Sequence, residues 1–322
     1  AKPPSLGYAG AMRVLVIGAG SIGRRHAANL DALGARAVLL AWRETSAADV
    51  ALRLPGFDAA VIATATDIRL PLIAACGAAG VPFYCEKPLA FRPADLDAIA
   101  AAAAPVAARS MVGFMMRYHA AFRMLADSDL AAVFRFHFAI GHDVTQWRAG
   151  WRFQDSYAAR AEGGGVLLDL CHEIDMAACL FPGLALGAVQ SLGHAAFPGV
   201  DMASHITLGA PNGAAGTVSM DYLCPRLLRH ARLDAQGASL DVDLATPTYR
   251  RLTTAADTRL DLAQDRNAMF RDAMADFLAL VSGRQVAHPL APRMQAVQES
   301  CRLIAAAWAA RRFTGLIEKD FP

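Results

Sequence analysis

The run Arg13-Val14-Leu15-Val16-Ile17-Gly18-Ala19-Gly20-Ser21-Ile22-Gly23 constrains the fold more than any other stretch. β-Branched and aliphatic residues lead into G-x-G-x-x-G, and a helical pattern follows. This context predicts strand, tight turn and helix, the opening of a dinucleotide-binding unit. Gly18 permits the turn off the strand, Gly20 lets a pyrophosphate approach the backbone, and Gly23 lets the helix pack against the strand. The free N–H groups and positive dipole end of the helix then face the phosphates. Ser21 and Ile22 belong to the same loop and join the three glycines as cofactor-binding candidates. An ordinary strand-to-helix turn is the competing reading, and the flanking pattern on both sides favours the nucleotide site.

A chain of 322 residues holds about two domains of ~150 residues. It is 55% hydrophobic and 19% charged, enough to bury a large core. A net charge of +2 gives no reason to expect nucleic acid or a membrane surface as partner. Cys76, Cys85, Cys171, Cys179, Cys224 and Cys301 are scattered without a C-x-x-C pair. That distribution fits reduced thiols in a cytoplasm better than a disulfide framework or a zinc site. No apolar run reaches the ~20 residues of a membrane span. The Pro/Gly-containing residues 1–11 lack the apolar core of a signal peptide and are expected to be a loose tail.

The expected fold is α/β. A parallel Rossmann sheet occupies residues 12–118, and a second α/β domain with an open, mostly antiparallel sheet occupies 119–322. In the first part, Met12–Ile17, Ala37–Trp42, Asp58–Thr64, Val81–Cys85 and Ala107–Phe114 read as strands. Ser21–Leu33, Pro71–Ala79 and Pro93–Ala103 read as helices. Fifteen residues between the second and third strands leave little room for a further helix and strand, so a trimmed sheet is expected there. Arg43, just past the second strand, suits a 2′-phosphate and points to NADP; Glu44 beside it keeps NAD open. In the second part, seven short strands between Val133 and Leu252 follow one another with turn signals, which indicates antiparallel pairing. Val166–Leu180, Asn267–Val281 and Arg293–Arg312 read as helices. The last is expected to pack back on the first domain.

Five motifs occur in a fixed order: Gly18–Gly23, Ala63-Thr64-Ala65-Thr66-Asp67, Glu86-Lys87-Pro88, Arg117-Tyr118-His119, and Gly163-Gly164-Gly165 continuing to Asp169, His172 and Asp175. From residue 12 to about 315 the chain resembles the Gfo/Idh/MocA family of NAD(P)-dependent oxidoreductases. The resemblance implies a Rossmann domain, a second domain whose open sheet forms a dimer or tetramer face, and a role for Lys87 at the substrate. It also implies a cis bond between Lys87 and Pro88, and cofactor contacts from Thr64, Thr66, Glu86 and Lys87. Two departures stand out. The family's A-T-P-x-x-x-H stretch has Ala65 for the proline and Arg69 for the histidine. Many members place an aspartate four residues before the histidine, where this chain has Leu168, with Asp169 three before.

Oxidising a secondary alcohol requires hydride to leave carbon and the hydroxyl proton to reach a base. His172 suits the base, because its pKa lies near working pH. Asp169 at i−3 and Asp175 at i+3 approach its ring if the helix is regular, and either would fix its tautomer. Lys87 would stabilise the developing oxyanion. Lys87, His172 and Asp169 are therefore the catalytic candidates. Arg117 and Tyr118, with His119, are candidates to face the substrate, as are Trp147, Arg152, Tyr157 and Asp175. The Trp/Arg-rich loop suggests an anionic, polyhydroxylated ligand. Packing of a domain seam is the competing reading for each of these residues. The histidines show no metal-ligand spacing, and no metal is assigned. The reading is an oxidoreductase acting on a sugar, inositol or sugar derivative. A non-catalytic cofactor-binding regulator and a dihydrodiol- or biliverdin-type reductase are the alternatives.

Overall fold

The structure is a computed structural model that describes residues 11–146, 152–318 and 320–321. The chain divides into two compact units. One contains the chain through Ala90, Ala94–Tyr118 and Asp265–Gln298; the other contains Phe91–Pro93, His119–Gln264 and Glu299 onward.

In the first unit, β1 (Arg13–Ile17), β2 (Arg36–Leu40), β3 (Ala59–Ile62), β4 (Phe83–Cys85) and β5 (Met111–Val112) form a parallel sheet in the order β2-β1-β3-β4-β5. β3 is buried throughout and β1 beyond its first residue, the pattern of strands covered on both faces. The helices are α1 (Ser21–Ala32), α2 (Ala47–Arg53), α3 (Arg69–Ala79) and α4 (Pro93–Ala103). α2 carries a capping box: Ser46 Oγ accepts from the Asp49 N–H, and the Asp49 carboxylate accepts from the Ser46 N–H. Among the described residues no strand lies between β2 and β3; this two-turn helix and the 3-10 turns Trp42–Glu44 and Leu54–Gly56 fill the short connection.

In the second unit the sheet order is β13-β12-β11-β10-β6-β9-β8-β7-β14 among the described residues. Its strands are β6 (Val133–Gly141), β7 (Ala185–His194), β8 (Ala203–Gly209), β9 (Ala215–Asp221), β10 (Leu228–Ala235), β11 (Ala238–Asp243), β12 (Thr248–Leu252), β13 (Asp257–Asp261) and β14 (Arg312–Ile317). The β6–β9 and β7–β14 pairs are parallel and the others antiparallel. Alternation sorts the two faces: Val218 and Met220 of β9 are buried while Thr217 and Ser219 are partly exposed. Helices α5 (Ala120–Ala126), α6 (Val166–Asp169), α7 (His172–Leu180) and α9 (Gln298–Ala309) complete this unit.

Helix α8 (Arg266–Val281) belongs to the first unit, although the sequence places it 150 residues beyond the Rossmann strands. Its side chains explain why. Asn267 and Asn29 of α1 exchange side-chain hydrogen bonds of 2.9 and 3.3 Å. Phe270 packs edge-on against His26, and Phe277 lies 5.9 Å from the Tyr84 ring. Asp276 accepts from the Tyr118 hydroxyl and from the Ala287 and His288 N–H groups.

Several boundaries differ from the sequence expectation. Residues 107–114 hold only a two-residue strand, because a 3-10 turn uses Ala107–Arg109. The closing helix starts at Gln298, and Arg312 begins strand β14 instead of ending that helix. Strand β13 was unforeseen; its five residues are all exposed, so it has no apolar periodicity to read.

The start of α1 is fixed by close approach. A methyl group at Gly23 would run into the Gly18 carbonyl, and one at Gly18 into the Ala63 carbonyl. Gly18 also has φ +110°, which side-chain-bearing residues rarely adopt. Gly23→Ala is expected to cost about 3 kcal/mol or more, since backbone must shift. Gly20→Ala, with nothing within 4 Å of its Cβ position, is expected to leave stability nearly unchanged. Denaturant melts of the two variants check this.

Candidate active site

The N-terminus of α1 is open. Gly20 is its N-cap, no side chain caps it, and no acidic residue stands in its first turn. Among the described residues no atom beyond its chain neighbours lies within 4 Å of a Cβ position at Gly20. On the adjoining turn after β3, Thr64 Oγ1 is buried without a partner among the described residues. An uncapped helix start beside open space, together with an orphaned hydroxyl, fits the pyrophosphate of a dinucleotide. Thr66 opens the 3-10 turn on the same loop. Arg43 and Glu44 are exposed in the single turn that follows β2.

The Glu86-Lys87-Pro88 turn leaves β4 at the carboxyl edge of the same sheet, where open α/β sheets bind ligands. The Lys87–Pro88 bond is cis. Glu86 does not point into open space. His26 Nε2 of α1 donates to its carboxylate at 2.7 Å, and Gly113 leaves room for it from the other side. Burial alone would raise the Glu86 carboxyl. The His26 hydrogen bond and charge, with Lys87 and Arg69 nearby, outweigh burial and hold it below the usual carboxylate range. Arg69 is buried beneath this turn, donating to the Thr64 carbonyl at 2.8 Å and to the Pro88 carbonyl.

In the second unit the loop Gly163–Gly165 leads into α6. Asp201 is fully buried and organises the loop: its carboxylate accepts from the Leu167 N–H at 2.9 Å, from the Ser204 hydroxyl at 3.0 Å and from Arg311. That carboxylate occupies the space beside Gly165, at φ +91°, where a side chain would stand. The predicted single helix over 166–180 breaks at Leu170-Cys171, and His172 opens α7. Asp169 ends α6 and accepts from the hydroxyls of Tyr157 and, at 3.1 Å, Tyr222. Next to His172, Glu173 is fully buried and takes a two-pronged hydrogen bond from Arg229 of β10, at 2.7 and 3.2 Å. This pair pins the start of α7 to the sheet.

Residues 12–114 match the family described as oxidoreductase family, NAD-binding Rossmann fold, and residues 118–237 match the Gfo/Idh/MocA C-terminal domain. The chain belongs to the Gfo/Idh/MocA family. Myo-inositol dehydrogenase Hyg17 of Streptomyces leeuwenhoekii is 37% identical over 136 residues, a match covering 37% of this chain and 42% of that protein. The chain thus matches less than half the length of this curated relative. UDP-N-acetylglucosamine 3-dehydrogenase GnnA of Acidithiobacillus ferrooxidans has a similar structure, with a TM-score of 0.75 at 21% identity over 94% of this chain and 97% of that one. The 3-ketoreductase KijD10 of Actinomadura kijaniata, in complex with NADP and TDP-benzene, has a TM-score of 0.74 at 17% identity over 95% and 99%. At these identities the two structures speak to the fold.

Within this Gfo/Idh/MocA chain the candidates fall into three groups. Gly18, Gly20, Ser21, Ile22, Gly23, Thr64, Thr66 and Lys87 share the carboxyl edge of the parallel sheet. Asp169, His172 and Tyr157 cluster around the glycine loop of the second unit, Tyr157 with 47% exposure and the other two nearly buried. The remaining candidates are placed differently from the sequence expectation. Arg117 and Tyr118 lie in the interior of the first unit, where Arg117 reaches the Leu290 carbonyl and Tyr118 bonds Asp276 against the His288 ring. Asp175 is fully buried on α7, on no exposed surface. All three are buried, where the sequence expectation has them facing a substrate. Glu86 accepts from His26. Arg152 is exposed at the start of the Phe153–Asp155 turn. Trp147 lies outside the described residues. Arg69, His26, Tyr222, Asp201 and Arg229 were missed; the departure at position 69 was the one available signal, since the others' partners lie 34 to 110 residues away in the chain. Among the described residues no group of three His, Cys, Asp or Glu side chains is placed to hold a metal.

His119, grouped with the motif candidates, is buried and caps α5 through Nδ1, which accepts from the Ala121 N–H at 3.2 Å. Burial, with the Arg229 charge, pushes its pKa down to about 4. The unfolded chain, near pKa 6.5, binds a proton there before the native chain does. Stability is therefore full above about pH 6.5 and falls as the pH drops towards about 4. Between about pH 7 and 5 the loss from this group is expected to reach about 2 kcal/mol. His119→Asn should flatten that part of the profile in denaturant melts.

Proposed function

We propose that this protein transfers hydride between NAD(P) and the hydroxyl or keto carbon of a sugar, inositol or sugar-derivative substrate. The observation that carries the reading is the shared sheet edge in the first unit: an uncapped helix start over open space beside a turn that presents Lys87. The nicotinamide would supply the hydride acceptor in oxidation or the donor in reduction.

The protein's own groups then divide the work. In the oxidation direction the carbon–hydrogen bond breaks with its electron pair leaving as hydride. The hydroxyl proton passes to the neutral imidazole of His172, and the carbonyl remains. Lys87 is the group of the first unit that would stabilise charge developing on a substrate oxygen. Asp169 is fixed by two phenols and serves as a held anion of the second unit, with Tyr157 partly exposed for a polar substrate group. The Glu173–Arg229 pair keeps the first turn of α7 in place. Retention of both Lys87 and His172 favours an enzyme over a non-catalytic regulator.

The exposed guanidinium of Arg43 at the carboxyl end of β2 supports NADP over NAD. The open second sheet that the family resemblance implies supports a homodimer or homotetramer, and scattered cysteines without a C-x-x-C pair support a cytoplasmic location. Nucleic acid and membrane are not proposed as partners; no helix among the described residues is long and apolar enough to cross a membrane.

Fluorescence titration with NADPH and NADH is the test. Wild type is expected to prefer NADPH, and Arg43→Ala to lose about 1–3 kcal/mol of NADPH binding while leaving NADH binding unchanged. Equal losses for both, or none, would reverse the NADP assignment and shift attention to Glu44. Binding of neither cofactor by wild type would remove the basis of the proposal.

A further inference from the structure

Arg69 is 4% exposed and stands where the family motif has a histidine. Its guanidinium reaches two different turns. Nη2 donates to the carbonyl of Thr64, which follows β3, and Nη1 donates to the carbonyl of Pro88, which follows β4. Those turns carry the cofactor candidates and Lys87 respectively. A buried cation is costly for the fold, and packing alone would be served by an aliphatic side chain. What a guanidinium adds is geometry: a rigid fork of donors that spans two acceptors and stays charged at every working pH. A histidine has two donors only when protonated, so it would bridge the same carbonyls only below its pKa.

We propose that Arg69 is the positioning residue for Lys87, a fork that fixes the Lys87 turn to the Thr64 turn. On the opposite side the Glu86–His26 bond ties the same turn to α1. Lys87 is thus held from both flanks, and Arg69 links it directly to the loop proposed to meet the cofactor. The proposal gains its functional meaning from the hydride-transfer reading, but its test does not depend on that reading.

The chain has three lysines, Lys2, Lys87 and Lys319, so Lys87 can be followed alone in its own peptide. The full-length, cofactor-free protein is labelled with trace acetic anhydride against N-acetyl-lysine amide as internal standard, and acetylation at Lys87 is read by peptide mass spectrometry. In Arg69→Ala, Lys87 is expected to acetylate about tenfold faster as its turn loosens, the scale of one lost charge-assisted hydrogen bond. Millimolar guanidinium should restore the wild-type rate, and ethylammonium at equal concentration should not. An unchanged rate, or an acceleration that guanidinium does not reverse, overturns the proposal and leaves Arg69 a packing residue. If the alanine variant does not fold, Arg69→Lys is judged by the same rate. Acceleration is expected there, because a point charge does not reproduce the fork, and a wild-type rate overturns the proposal. Failure of the hydride-transfer reading shows separately, as a Lys87→Met variant whose NAD(P)-linked activity equals wild type.

Discussion

The bond between the Glu86 carboxylate and His26 Nε2 is the constraint on which the first unit turns. His26 lies on the helix whose start is proposed to receive phosphate, and Glu86 precedes the lysine proposed to act on substrate. One charge-assisted hydrogen bond therefore ties α1 to the Lys87 turn. Its surroundings keep it dry and directional. Tyr84 and Phe270 enclose the imidazole edge-on at 5.1 and 5.8 Å, and Gly113 leaves the volume the carboxylate needs. The glycine contacts of α1 then acquire a second purpose. Close packing of Gly23 on Gly18 sets the helix start, and it also sets where His26 falls.

The second unit solves an equivalent problem with different chemistry. A glycine loop must deliver His172 to a defined position, and loops are the least rigid part of a domain. Three buried acids supply the rigidity. Asp201 gathers a backbone N–H, a serine hydroxyl and Arg311 around the loop. Glu173 locks the following helix to β10 through Arg229. Asp169 is held by two phenols drawn from distant parts of the chain. Each carboxylate is buried yet well supplied with donors, the condition under which buried charge is tolerated.

The parts legible in the sequence were those with short-range physical causes. The G-x-G-x-x-G turn and the alternating strands of the second sheet both rest on residues within a few positions of one another. The missed parts had distant causes. The break at Leu170-Cys171 carries no proline or glycine, so local pattern reads through it as one helix. β13 is exposed along its whole length and pairs only because β12 lies beside it. Arg117 and Tyr118 read in the sequence as facing a substrate, and their bonds to the Leu290 carbonyl and to Asp276 of α8 come from far along the chain.

The sequence by itself determined the Rossmann opening and a mostly antiparallel second half, through residue type and spacing along the chain. The order of its motifs carried the family resemblance, and with it the lysine and histidine candidates. Only the tertiary structure decided which polar residues face inward, which unit receives α8, and which partners hold the Lys87 turn and Asp169. Those outcomes depend on pairing groups as far apart as Asn29 and Asn267. Such pairs are selected by burial, which leaves a charged or hydroxyl group no alternative but the nearest buried donor or acceptor, and that neighbour is set by the fold.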